Sequence, residues 1–208
     1  MNPPRFPRAK WARQVAREFL LRNGIVMPPV DAEALVRSLA EVVVFEHPEW
    51  DGFTVYDVQR GLHVVHINVA LAVDGRRRFT WAHELGHIVL GHLRDYDCNR
   101  LPAQFLRVLD READIFASEL LMPRCWIDKF VPAPCDARSM GKLKDMFGVS
   151  WEALIARLGE LGIQEATESQ RLIATYRDHR SGDEWSGLWA RSRARAQNSP
   201  RADGGLTQ

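Results

Sequence analysis

Cysteine is scarce in this sequence, with three residues in 208, at positions 98, 125 and 135. The number is odd and no two of them form a CxxC pair, which argues against a disulfide framework and against a cysteine-rich structural zinc site. The sequence also has no apolar run near the roughly 20 residues that a membrane helix needs. The basic start, MNPPRFPRAK, is not followed by the apolar segment of a secretory signal. These absences predict a soluble, cytoplasmic protein with no membrane partner.

The sequence also lacks an excess of either charge. Lysine and arginine number 28 and aspartate and glutamate 27, giving a formal net charge of +1. The chain as a whole therefore has no electrostatic attraction for nucleic acid. Its 46% of hydrophobic and 26% of charged residues are typical of a globular protein. A chain of this length can form one well-cored domain and a small appendage.

Residue patterns along the chain predict an α+β fold. Apolar residues at helical spacing predict helices, and runs of β-branched and aromatic residues predict strands. Asp74 and Gly75 predict a turn before the third helix. In order, the predicted elements are a helix at 11–22, a helix capped by Asp31, strands at 41–47, 53–58 and 62–71, and helices at 79–93 and 106–121.

The C-terminal third predicts a second unit. Residues 139–163 read as two helices around a turn at Gly148, a spacing like that of a helix-turn-helix, although spacing alone favours two helices that complete the core. The second helix carries one base, Arg157, and two glutamates, so direct DNA binding is not expected. The predicted organisation is a domain at 1–130, a helical unit packed on it at 136–176, and a flexible tail at 177–208.

The strongest chemical signal is HELGH within FTWAHELGHIVLGH (79–92). On a helix of about 3.6 residues per turn, His83 and His87 share one face and can bind one zinc ion through their imidazole nitrogens. Glu84 lies beside them, where it can accept a proton from a water activated by the metal. Gly86 is expected to leave room above this helix. The alternative is a pair of histidines satisfied by hydrogen bonds in the core.

A catalytic zinc normally has a third protein ligand. The HExxHxxGxxH pattern is excluded, because Leu90 and Leu93 occupy the positions that need glycine and histidine. His92 is expected to lie about 180° around the helix from His83. His63 and His66 on the preceding strand, and His92 and Tyr96 after the helix, are the candidates for stabilising an oxyanion or assisting the leaving group. A surface or core role is favoured for each of these histidines and Tyr96 is no better supported, so this role and the residues that bind substrate are left unassigned.

The segment LDREADIFASELLMP (109–123) offers acids for that third ligand. Asp110 and Asp114 are four residues apart and share a helical face. In the gluzincin pattern the ligand carboxylate precedes, by four residues, an acid that orients a histidine. Asp110 is therefore the expected ligand, and Asp114 is expected to hold the N–H of His83 or His87. Glu112 is expected to face water and is the alternative ligand.

These motifs resemble those of a known family. RRFTWAHELGHIVLGH followed by EADIFASELLMP is similar to the ImmA/IrrE family of metallo-endopeptidases, and FGVSWEALIARLGELG resembles the helical segment that often follows in that family. The resemblance covers roughly residues 11 to 165. It implies a zincin-like, gluzincin-type domain with a small mixed or antiparallel sheet, HExxH on its active-site helix, and a helix-turn-helix-like unit after it.

The resemblance also implies a function. Members are cytoplasmic zinc endopeptidases that cleave DNA-binding repressors of the phage-repressor or XRE type, in mobile-element transfer, stress or DNA-damage responses, and some act in toxin–antitoxin pairs. His83 and His87 match the family's histidine ligands and Glu84 its catalytic base. Asp110 departs from the glutamate that begins the family's ExxA(N/D) pattern. The alternative is therefore a weakly active or inactive zincin that binds such a regulator or acts as a toxin partner. Zinc is the expected metal and manganese the alternative.

Overall fold

The computed structural model describes residues 3–70, 74–131, 136–163 and 171. This part of the chain forms eight helices and one three-stranded sheet, which confirms the predicted α+β class. The helices are α1 (Ala9–Arg22), α2 (Ala32–Arg37), α3 (Asp74–Val89), α4 (His92–Asp95), α5 (Ala103–Leu121), α6 (Arg124–Phe130), α7 (Ala137–Phe147) and α8 (Trp151–Glu160). The strands are β1 (Ala40–Phe45), β2 (Gly52–Asp57) and β3 (Leu62–Asn68).

The sheet is mixed, and β3 is its central strand. β1 pairs with β3 in parallel and β2 pairs with β3 antiparallel. Val65 of β3 lies between Val42 and Thr54 and is fully buried. Because it has a neighbouring strand on each edge, β3 carries most of the buried residues of the described sheet, namely Val65, Ile67 and Asn68.

Helix α3 packs against the sheet and against α5, and α1 packs on α5. Leu85 of α3 and Phe116 of α5 are both fully buried in the hydrophobic core. The ring of Phe19 from α1 contacts Phe116 edge-on, with 6.2 Å between the ring centroids. This arrangement places the HELGH segment between a sheet and a second helix.

Gly86 lies at a close approach of α3 to α5. A Cβ at this position would stand 3.1 Å from the Cα atom of Ala113 and 3.2 Å from a ring carbon of Phe116. The expectation that Gly86 leaves room above the helix is therefore wrong, because that space is filled by the backbone of α5. The close approach brings the acids of α5 within reach of the histidines of α3.

Replacing Gly86 with alanine should destabilise the protein. The added methyl group would press on the backbone of Ala113, which cannot move aside as a side chain does, and such overpacking costs about 1–3 kcal/mol. The free energy of unfolding from urea titration measures the effect. Gly159→Ala, at an exposed position of α8, is the control and should be neutral or mildly stabilising. An unchanged unfolding midpoint for Gly86→Ala would contradict this packing.

The boundaries of α3 differ from the predicted ones. Asp74 and Gly75, predicted as a turn, begin the helix. A Cβ on Gly75 would stand 2.5 Å from the backbone of Val149, so packing against the α7–α8 turn decides the structure here. The helix then ends at Val89, and Gly91 has a φ of 73°. His92 therefore begins a separate helix, and the prediction that placed it 180° from His83 is wrong.

The C-terminal helices α7 and α8 complete the core of the described structure. Both begin with a capped residue: Asp136 accepts a hydrogen bond from the backbone N–H of Ser139, and Ser150 from that of Ala153. The predicted pair of helices around Gly148 is therefore present. The predicted boundary between a domain at 1–130 and a unit at 136–176 stays a prediction. Cys135, most of the predicted unit beyond residue 163 and the predicted tail at 177–208 lie outside the described residues.

Two further findings concern the described part of the chain. Cys98 and Cys125 carry free thiols. None of the described helices has the length and apolar character needed to span a bilayer.

Candidate metal centre

His83 and His87 face each other one turn apart on α3. Their Nε2 atoms are 3.1 Å apart, and their ring centroids are 4.9 Å apart. Two nitrogens bound to one tetrahedral zinc at about 2.0–2.1 Å would be separated by about 3.4 Å. The two imidazoles are therefore positioned to ligate a single ion.

Asp110 of α5 lies beside this pair. Its Oδ1 atom is 3.5 Å from Nε2 of His87, and one ligand atom from each of His83, His87 and Asp110 lies within 4.8 Å of the other two. Two neutral imidazoles and one carboxylate form a donor set that suits zinc and leaves a coordination position open. The residues thus fit the metal, and the 41% exposure of the Asp110 side chain marks the side on which solvent reaches them.

Asp114 contacts one of the two histidines. Its Oδ1 atom is 2.9 Å from Nδ1 of His83, so the Nδ1–H donates to the carboxylate and Nε2 is the nitrogen left to face the metal position. Burial lowers the pKa of His83, but the hydrogen bond and charge of Asp114 outweigh it and the pKa is raised. The sequence left open whether Asp114 contacts His83 or His87, and in the structure it contacts His83. Such a contact fixes the orientation of a histidine ring.

Glu84 is buried beside the histidines, with 3% of its surface exposed. The hydroxyl of Thr54 on β2 donates a hydrogen bond of 2.8 Å to its Oε2 atom. This contact joins the sheet to α3 and directs the carboxylate. Nothing in the sequence pattern singles out Thr54, because the contact arises from the packing of β2 against α3.

Glu112 is fully buried, so the prediction that it faces water is wrong. Arg8 donates to it from its backbone N–H and its guanidinium at 2.6–2.8 Å, and His92 approaches its Oε2 atom at 3.1 Å. Burial would raise the pKa of Glu112, but the hydrogen bonds from Arg8 and His92 lower it to about 2. The prediction failed because the start of α1, 104 residues away in sequence, covers this face of α5.

His92 is also fully buried, and it connects Glu112 to the histidine pair. Its Nδ1 atom is 3.1 Å from Nδ1 of His87, and its Nε2 atom faces Glu112. Burial lowers the pKa of His92 to about 4. The sequence pattern gives His92 no role, because Gly91 redirects the chain after α3 in a way that helical spacing does not show.

The remaining candidates lie on the sheet or after α4. The ring of His66 stacks on Phe53 with 4.4 Å between centroids, and the ring of His63 contacts Tyr56 at 4.9 Å. Burial lowers the pKa of both histidines. Tyr96 lies beside Arg8 and contributes to raising the pKa of that guanidinium. None of the three joins the metal-binding group found among the described residues.

The geometry can be compared with known proteins. The family model Peptidase_M78, described as the IrrE N-terminal-like domain, matches residues 39–159, which is more than half of the chain. The chain belongs to this family. The match includes every residue of the candidate metal centre and reaches into α8. Membership in the IrrE N-terminal-like domain family indicates a metallopeptidase-type function, and it confirms the resemblance drawn from HELGH and EADIFASELLMP.

A solved structure resembles the fold. It is a Mycobacterium tuberculosis transcriptional regulator, with a TM-score of 0.51 and 18% sequence identity over 71% of this chain. The chain spans 46% of the length of that regulator. At this identity the likeness concerns the fold alone. No curated protein matches the chain.

Proposed function

We propose that this member of the IrrE N-terminal-like domain family is a zincin-like, gluzincin-type zinc endopeptidase that cleaves a DNA-binding regulator of the repressor or antitoxin type. One observation carries the proposal. His83, His87 and Asp110 converge from two helices on one point, next to the buried carboxylate of Glu84. A cytoplasmic location follows from the resemblance to the ImmA/IrrE family.

Each residue of the site has a distinct role in this proposal. Zinc held by His83, His87 and Asp110 would lower the pKa of a water toward about 7 and polarise a peptide carbonyl. Glu84 accepts the proton of the attacking water and later delivers it to the leaving amine. The hydroxyl of Thr54 holds the carboxylate of Glu84 in position, at 2.8 Å.

The sheet provides a place for an extended substrate. β2 is an edge strand of the described sheet, and its Thr54 contacts Glu84. A substrate segment that pairs with the outer edge of β2 would run beside the general base, with backbone hydrogen bonds supplying affinity. This geometry favours a polypeptide substrate over a compact small molecule.

The choice of a DNA-binding regulator as the substrate rests on the resemblance to the ImmA/IrrE family. It also agrees with the placement of Arg157. This base, the only one in α8, has 1% of its surface exposed and binds Glu119 and the backbone carbonyl of Met122. It cannot reach a phosphate, so α8 lacks a base to dock in a DNA groove. In this proposal the protein cleaves a DNA-binding protein and does not itself bind DNA through α8.

A second function is favoured by Asp110. Aspartate is shorter than the glutamate of the family pattern by one C–C bond, about 1.5 Å. A weaker metal site would make the chain a regulator-binding module or a toxin partner. The close approach of α5 at Gly86 offsets the shorter reach, and the 3.5 Å between Asp110 and His87 therefore favours the peptidase.

Zinc content tests the proposal. Wild-type protein purified without chelator should contain about one zinc per chain, as a site of three protein ligands requires. Asp110→Ala should lose most of it. Asp128→Ala, at an exposed acid of α6 paired with Arg124, is the control and should keep it. The metal is quantified by plasma mass spectrometry.

The outcomes separate the two functions. Zinc present in wild type and lost in Asp110→Ala supports the three-ligand site, and a co-purifying regulator that is then cleaved supports the endopeptidase. Wild type without metal, bound to a regulator that stays intact, would favour the binding module. Zinc retained in Asp110→Ala would overturn the assignment of the third ligand.

A further inference from the structure

A chain of polar groups, two of them fully buried, runs from the start of α1 to the candidate metal centre. The guanidinium of Arg8 binds Glu112, Glu112 faces Nε2 of His92, and Nδ1 of His92 faces Nδ1 of His87. Glu112 and His92 are fully buried, so neither can exchange these partners for water. Buried polar networks of this kind are costly unless every member is satisfied, which points to a specific role.

The charges decide which atoms carry protons. Glu112 is already paired with the guanidinium of Arg8, so a second positive charge on His92 would be buried without a counter-charge of its own. His92 is therefore a neutral imidazole with one N–H. An ionised carboxylate only accepts hydrogen bonds, so that N–H is on Nε2 and donates to Glu112.

The remaining contacts follow from this assignment. With its proton on Nε2, His92 has a lone pair on Nδ1, which accepts a hydrogen bond from Nδ1–H of His87. His87 then has a lone pair on Nε2. His83 reaches the same state through Asp114, which accepts from its Nδ1–H. Two lone pairs thus face each other over 3.1 Å, an arrangement that a bound cation stabilises.

We propose that Glu112 and His92 are positioning residues that hold His87 in the tautomer presenting Nε2 to the metal, with Arg8 anchoring the chain at its outer end. The inference rests on the proposed role of His87 as a ligand. A histidine ligand commonly donates its second N–H directly to a carboxylate or carbonyl, as His83 does to Asp114. For His87 the carboxylate acts through a second imidazole.

The tautomers can be read directly. Long-range proton–nitrogen NMR spectra of the full-length protein, zinc-free and zinc-loaded, should show the proton of His92 on Nε2 and that of His87 on Nδ1. In Glu112→Gln the preference of His92 should be lost, and the zinc dissociation constant, measured by competition with a chromophoric chelator, should rise by about 10- to 100-fold.

Two comparisons separate positioning from a structural effect. Glu119→Gln removes another buried carboxylate from α5, one that pairs with Arg17 and Arg157. It should leave the tautomers and zinc affinity unchanged. His92→Phe should weaken zinc binding as Glu112→Gln does, whereas His92→Gln keeps one donor and one acceptor and should restore much of the affinity. The His92 variants keep the test available if Glu112→Gln does not fold.

The outcomes distinguish this inference from the proposed function. A wild-type protein that binds no zinc would remove the proposed function, whatever its tautomers. Zinc binding in wild type, with the same affinity in Glu112→Gln and His92→Phe, would overturn the positioning role alone. A wild-type His92 that carries its proton on Nδ1 would overturn it as well.

Discussion

Replacing Glu84 with glutamine should lower the rate of regulator cleavage by about 10²- to 10⁴-fold, the usual contribution of a general base. The amide has nearly the shape of the carboxylate and can still accept the hydrogen bond of Thr54. It cannot take a proton from water. Zinc content and the unfolding midpoint should therefore match those of wild type, and only turnover should fall. Cleavage is followed by gel electrophoresis with the co-purifying regulator.

A graded control accompanies this variant. Thr54→Val keeps the volume of the side chain and removes the hydroxyl that directs Glu84, so cleavage should fall less than in Glu84→Gln. Loss of zinc or of folding in Glu84→Gln would instead show that Glu84 supports the structure or the metal. Undiminished cleavage would exclude Glu84 as the base.

Local periodicity was enough to place the pairs that lie on one helix. His83 with His87, and Asp110 with Asp114, are each four residues apart, and helical geometry puts each pair on one face. The sequence therefore predicted the residues that the structure brings together. The α+β class followed in the same way from the runs of apolar residues, whereas the resemblance to the ImmA/IrrE family left the small sheet as either mixed or antiparallel, and the structure has it mixed.

Contacts between distant segments were not predictable. Glu112 meets Arg8 over 104 residues, and Thr54 meets Glu84 over 30. A helical wheel of α5 shows where Glu112 points and contains no information on what covers it. The expectation of a solvent-facing acid failed for that reason. His92 was misplaced because Gly91 ends the helical periodicity one residue earlier.

The departure at Asp110 illustrates how packing modifies a motif. Taken alone, the shorter side chain indicates a weakened metal site. In the fold, Gly86 allows the backbone of Ala113 to lie against α3, so α5 sits closer than a helix opposite alanine would. Gly86 and Ala113 are small enough for the helices to approach closely, and this approach matches the shorter reach of Asp110. The aspartate does not by itself argue for an inactive protein.

Replacing Arg157 with leucine should lower the free energy of unfolding by about 3–5 kcal/mol, the cost of leaving one partner of a buried ion pair alone. Arg157 and Glu119 are both about 1% exposed and join α8 to α5. The substitution also removes the hydrogen bond to the carbonyl of Met122. Urea denaturation measures the loss, and Arg124→Leu at a half-exposed surface pair should change stability little.

The double variant Arg157→Leu with Glu119→Leu makes the prediction specific. With both charges removed, no buried carboxylate is left without a partner, so the double variant should regain a large part of the free energy of unfolding lost in Arg157→Leu. Arg17 then lacks its partner Glu119, so the recovery should be incomplete. If Arg157→Leu is as stable as wild type, the guanidinium is not buried against α5, and α8 would present its base to solvent. DNA binding by α8 would then have to be considered again. A large loss of stability in Arg157→Leu, with recovery in the double variant, would show that α8 is joined to α5 through this buried pair. Since α5 carries Asp110, the C-terminal helices then support the metal centre as part of the same core.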